Sequence, residues 1–236
     1  MVNDIKYITK VSPQDKNVLE NLNYQNLDCN INFKDLLVSK PWGSEYLLFE
    51  NELCAIWVLN INYMENTSMH CHPQKDTSLV CIDGQVSCNT LNENNKLDTL
   101  DGVFLNKKVF HQTQSIFKEG SYILEIETPV NKFDLVRIND TYGRQGKEYE
   151  DKKHYDVVLS LTLEFPFNLS RKINDTKIEV LKVNKYNPLR QYDGDSIISV
   201  LSQSNDVGKI YRLKDIEIKQ IPINSTIIVI SKSDNL

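Results

Sequence analysis

The chain has 236 residues, a formal net charge of −5, 40% hydrophobic residues and 25% charged residues. These are ordinary values for a water-soluble globular chain, long enough for one large all-β domain or two smaller ones. The acidic balance and the lack of a basic patch argue against nucleic-acid binding, which depends on cations set against phosphates.

The N-terminal segment "MVNDIKYITK" has no apolar signal core. No run approaches ~18 apolar residues, so neither a leader nor a membrane span is expected. A helix is expected over "SPQDKNVLENL" (12–22), with Ser12 or Asp15 as its N-cap. Residues 1–37 are read as an N-terminal extension. Short strands follow: "EYLLFEN" (45–51), "LCAIWVLNINY" (53–63), "SLVCIDGQVSCNTL" (78–91), "GVFLNKKVFHQTQSI" (102–116) and "SYILEIETP" (121–129). They are rich in β-branched and aromatic residues, and "NEL", "NENNK" and "KEG" mark turns between them. This spacing predicts a sandwich or barrel. A polar stretch, "RINDTYGRQGKEYEDKKHYD" (137–156), reads as a connector, with a domain boundary near 150. Strands then resume in "VVLSLTLEF", "KIEVLKV", "SIISVLSQ" and "KIYRLKDIEIKQIPINSTIIVISK".

Five cysteines occur, Cys29, Cys54, Cys71, Cys81 and Cys88, with no CxxC pair. They read as core thiols in a reducing compartment, which makes a cytoplasmic protein the expectation. Glycine-rich phosphate loops are absent, which disfavours common nucleotide-dependent chemistry.

The chain has only four histidines. His70 and His72 stand one residue apart in "TSMHCHPQKDTSLVCIDG". On a strand, residues i and i+2 project from one face. Two imidazoles so placed can share a divalent metal. His111, on a later strand, joins them if the two strands are neighbours. Cys71 then points away from the cluster, and His154 lies solvated in the connector.

The sequence resembles the cupin superfamily: "HCH", Gly84 after the next strand, then His111. "KPWGSE" (40–45) resembles the entry to the cupin region in sugar-phosphate isomerases of the mannose-6-phosphate type. "EIETPVNKFDLVRINDTYGR" resembles the tail of cupins found with bacterial surface-polysaccharide biosynthesis. The resemblance covers about residues 38–150. It implies an all-β jelly-roll barrel. Residues 151–236 resemble a second cupin whose histidine is missing, giving a bicupin with one degenerate barrel. The alternative is a β extension of the first barrel.

The resemblance also implies a metal site with His70, His72 and His111 as ligands. Its usual glutamate falls at residue 76 or 77, where the chain has Asp76 and Thr77. Asp76 is the candidate fourth ligand, although shorter by one methylene. Zinc, iron, manganese, cobalt and nickel all suit such ligands. In "SYILEIETP", Glu125 and Glu127 share one face by parity, with Leu124 and Ile126 on the other. The pair is either solvated or lines the pocket. Glu125, Glu127 and Lys75 are the candidate catalytic residues, with Lys75 and Arg144 as anion contacts. Three functions remain open at this point: a metal-dependent isomerase or epimerase of a sugar or sugar phosphate, a non-catalytic sugar-binding protein, and a three-histidine iron dioxygenase. Cupins often pair, so a homodimer is expected.

Overall fold

In this computed structural model the described residues are 4–22, 31–139, 141–143, 154–165, 169–184 and 188–233. The expected helix forms as α1, Pro13–Glu20. Ser12 is its N-cap. The Ser12 hydroxyl accepts from Asp15 N, and the Asp15 carboxylate accepts from Ser12 N, closing a capping box. Within the N-terminal extension a strand also forms, β1 (Ile5–Ile8).

The barrel strands are β2 (Leu36–Lys40), β3 (Gly43–Glu50), β4 (Ala55–Ile61), β5 (Met69–Cys71), β6 (Asp76–Asp83), β7 (Gln85–Thr90), β8 (Asn94–Asp98), β9 (Gly102–Leu105), β10 (His111–Ser115), β11 (Ser121–Thr128), β12 (Val136–Asn139) and β13 (Tyr155–Val157). One sheet runs β1-β9-β6-β11-β4-β3-β2-β13, and the facing sheet runs β12-β5-β10-β7-β8. From β4 to β11 the chain passes back and forth between the two sheets, which is the winding of a jelly roll. The all-β jelly roll expected from the sequence is the fold observed.

Two stretches read as single strands each divide in two. The run 78–91 breaks at Gly84, whose φ of +81° favours glycine. There the chain leaves one sheet for the other. The run 102–116 breaks between Leu105 and His111 for the same change of sheet. "NENNK" turns only at its start, since Asn94–Asp98 pairs along β7 as an edge strand. One edge of such a strand faces water, so asparagine and lysine are tolerated there. Gly43 has a positive φ, and a Cβ on it would meet Asn60 O at 2.0 Å, so the "KPWGSE" turn requires glycine. Of the polar connector, residues 144–153 lie outside the described residues, and with them Arg144; so does Cys29.

Between the two barrel sheets lies a core that includes Trp57, Leu59, Leu79, Cys81, Cys88, Val103 and Ile123. α1 covers the outside of the smaller sheet, setting Val18, Leu19 and Leu22 against Cys71, Phe110 and Val136. The C-terminal strands β14 (Ser170–Ile173), β15 (Thr176–Lys182), β16 (Ile197–Val200), β17 (Ile210–Arg212) and β18 (Thr226–Lys232) form a third sheet, ordered β14-β15-β18-β16-β17. Its Ile178, Val180, Ile197, Ile228 and Ile230 share one apolar cluster with Leu48, Ile56, Val80, Leu124 and Ile126 of the larger barrel sheet. The strand order repeats that of β3-β4-β11-β6-β9, with every pair antiparallel in both. The far face, with Ile198, Ile227 and Val229, is covered by Leu189, Leu213 and Ile221 rather than by strands. Among the described residues, no helix is long and apolar enough to cross a membrane.

Candidate metal centre

His70 lies on β5 and His111 opens β10, directly opposite each other in an antiparallel pair. Opposed residues share a face, so the two imidazoles meet. His72 follows the end of β5 on the same side. The ring centroids are 4.5 Å apart for His70 and His111, 5.0 Å for His70 and His72, and 5.5 Å for His72 and His111. One ligand atom of each lies within 4.8 Å of the other two. All three side chains are buried.

Each ring is held through Nδ1 by a main-chain carbonyl. His70 Nδ1 faces Ser68 O at 2.7 Å, His72 Nδ1 faces Asp134 O at 2.6 Å, and His111 Nδ1 faces Val109 O at 3.1 Å. A carbonyl only accepts, so each Nδ1 carries the proton and donates it. That leaves Nε2 with its lone pair as the available ligand atom. Nε2 of His72 and of His111 is buried without a hydrogen-bond partner. Burial lowers the basicity of all three. His70 and His72 fall well below the ordinary histidine value, and His111 falls to about 4. The cluster is therefore neutral at pH 7, the form that binds metal. Converging lone pairs without partners are what a divalent transition metal requires, so the residues present fit one.

The carboxylates arrive from β11. Leu124 and Ile126 face the third sheet, while Glu125 and Glu127 point into the barrel and are buried. Glu127 Oε1 accepts from Lys75 Nζ at 2.6 Å and lies 3.9 Å from His72 Nε2. Burial, reinforced by the neighbouring Glu127, raises Glu125 to about 7. His72, Glu125 and Glu127 form a second set of converging ligand atoms that shares His72 with the first.

The three histidines and both glutamates line a cavity of about 60 Å³. Its wall also carries Lys40, Trp42, Glu45, Lys132 and Arg137. Glu45 Oε1 lies 3.3 Å from Lys40 Nζ and 3.2 Å from Lys132 Nζ. Lys132 Nζ sits 3.6 Å from the centre of the Trp57 ring, a cation–π contact. Burial alone would lower the Lys132 ammonium, but Glu45, Glu127 and Glu125 outweigh it and hold it above its ordinary value. A larger cavity of about 390 Å³ shares Glu127 and Lys132 as walls and is otherwise lined by residues such as Phe33, Trp57, Val130 and Phe133.

Of the residues singled out in the sequence, His70, His72, His111, Glu125, Glu127 and Lys75 come together. Asp76 does not. Its Oδ1 accepts from Lys107 N at 2.8 Å, because strand alternation turns it away from the face that carries Thr77 and Leu79. Lys75 sits inside, its ammonium donating to Glu127. Cys71 points away from the histidines into the α1 interface, and His154 is exposed. Asp134 carried no sequence signal beyond an ordinary turn. Its Oδ2 accepts from Gln74 N at 2.8 Å and Lys75 N at 3.0 Å while its carbonyl holds His72. Glu45, Lys132 and Arg137 fall within the two stretches that carried the resemblance but had no role assigned, since nothing local marks which strand ends face the barrel interior.

No protein-family model matches the chain, and no curated protein matches it. Solved structures do. An uncharacterized conserved protein with a double-stranded β-helix domain from Klebsiella pneumoniae is 13% identical, with a TM-score of 0.38 over 41% of this chain and 84% of that one. A sugar phosphate isomerase from a cupin superfamily, from Silicibacter pomeroyi, is 10% identical, with a TM-score of 0.37 over 41% of this chain and 66% of that one. KdgF from Halomonas sp. is 12% identical, with a TM-score of 0.39 over 41% of this chain and 89% of that one.

Proposed function

We propose that the chain is a metal-dependent cupin that isomerises or epimerises a sugar or sugar phosphate, in bacterial surface-polysaccharide biosynthesis. The observation that carries this reading is the placement of "KPWGSE". Lys40, Trp42 and Glu45 from that hexapeptide line the same cavity as the three histidines. The segment that resembles sugar-phosphate isomerases thus belongs to the site itself.

His70, His72 and His111 would hold the metal, with Nε2 the nitrogen each leaves free of its main-chain hydrogen bond. When bound, a divalent metal supplies Lewis acidity toward a carbonyl or hydroxyl oxygen. Glu125, buried in the same cavity, takes and returns the proton on the carbon beside the carbonyl. Lys40, Lys132 and Arg137 are the wall cations that an anionic substrate would meet, set among Glu45, Glu125 and Glu127. The inner cavity takes the reactive end, and the larger one beside Lys132 takes the remainder. Lys75 acts through Glu127 rather than on substrate. We read the third sheet as the remnant of a second cupin, supported by its repeat of the barrel's strand order. A homodimer in the cytoplasm is part of the same proposal.

The test is incubation of the metal-loaded protein in D2O with a panel of sugars and sugar phosphates, first without and then with dioxygen, followed by proton NMR. Exchange at the carbon beside the carbonyl, abolished by Glu125→Gln, is expected. Turnover only with dioxygen would favour the dioxygenase. Binding without exchange or turnover would leave a sugar-binding protein.

A further inference from the structure

Thr77 stands on β6, on the face that carries Leu79 into the barrel core. Its hydroxyl is buried without a partner. Directly across the β6–β11 ladder from Thr77 stands Glu127. Opposed residues in an antiparallel ladder point to one face with Cβ atoms ~5 Å apart. Glu127 therefore presents its carboxylate on the face it shares with Thr77. Its two oxygens differ. Oε1 is held by Lys75 at 2.6 Å, whereas Oε2 is buried and has no hydrogen-bond partner. A buried carboxylate oxygen without a donor is costly, and a cation beside it removes that cost. His72 Nε2, equally without a partner, lies 3.9 Å from Oε1 of this carboxylate, and His72, Glu125 and Glu127 bring their ligand atoms together.

We propose that Glu127 is the fourth protein ligand of the metal held by His70, His72 and His111, and that Lys75 positions its carboxylate. Asp76, on the opposite face of β6, plays no part. The assignment rests on the metal-centre reading above.

Cobalt(II) titration of the metal-stripped full-length protein tests it, with visible d–d bands and chelator competition as readouts. Wild type is expected to bind cobalt, and His72→Ala to lose it. Glu127→Gln weakens the affinity by ~10-fold or more and shifts the bands, while Asp76→Asn keeps both. Because Glu127→Gln strands the Lys75 ammonium, Lys75→Met/Glu127→Gln is measured beside it, with near-UV circular dichroism to establish folding. Shifted bands in the folded double variant carry the same conclusion. Unchanged bands in that variant would overturn Glu127 as a ligand and leave the three-histidine centre standing. Wild type that binds no cobalt, or binds it equally after His72→Ala, would remove the centre and the ligand assignment together.

Discussion

Lys75 and Glu127 are an ion pair almost wholly out of water, with side chains 0% and 2% exposed. Removing one partner leaves the other charge buried and uncompensated, which costs ~3–5 kcal/mol. Glu127→Ala and Lys75→Ala should each destabilise the metal-free protein by about that much in urea unfolding. Lys75→Met/Glu127→Gln should recover most of the loss, because neither charge then remains. The thiols give a prediction at the same scale. Burial pushes Cys54 and Cys88 from the ordinary 9.0 up to about 12, and raises Cys81 as well. A thiol that holds its proton more tightly when folded stabilises the fold below the unfolded value and loses that contribution as pH rises through the folded one. Stability should therefore hold up to pH 9 and decline between 9 and 12. Urea midpoints across that range check it, and Cys54→Ala with Cys88→Ala should flatten the decline.

At the scale of the element, α1 is tied to the site by one residue. Asp15 completes the capping box with Ser12, and its Oδ1 also accepts from Phe110 N at 3.1 Å, immediately before His111. Ser12→Ala should cost ~1 kcal/mol, the usual value of a lost cap. Asp15→Ala should cost more, roughly 2–4 kcal/mol, since a buried main-chain N–H loses a charged acceptor as well. Thermal unfolding of both variants tests the order. The sequence offered either residue as the cap, because both are good cap residues. The link to Phe110 joins positions too far apart in the chain for any local pattern to show. Glu125 and Glu127 were legible as a same-face pair by parity alone. Parity did not say which face is inside, because that depends on the sheet that packs behind Leu124 and Ile126.

Across the whole molecule, the third sheet and the larger barrel sheet bury one apolar cluster between them. Neither face is polar enough to stand in water alone, and an exposed patch of this kind drives aggregation. The full chain should therefore unfold in a single calorimetric transition. A truncation after residue 165 should expose Leu48, Ile56, Val80, Leu124 and Ile126 and give insoluble protein. Two separate transitions, or a soluble folded truncation, would show that the sheet is an independent appendage.

Read alone, the sequence determined the all-β class and the pairing of His70 with His72, because strand alternation and the His-x-His spacing are local properties of the chain; the jelly roll and the part of His111 were implied by the resemblance. The tertiary structure decided the rest of the centre. It turned Asp76 outward, brought Glu127 opposite Thr77, and set Asp134, Glu45 and Lys132 around the histidines. Those neighbours depend on ladder register and on which sheet covers which face. Both are fixed by long-range packing, and no short stretch of sequence encodes them.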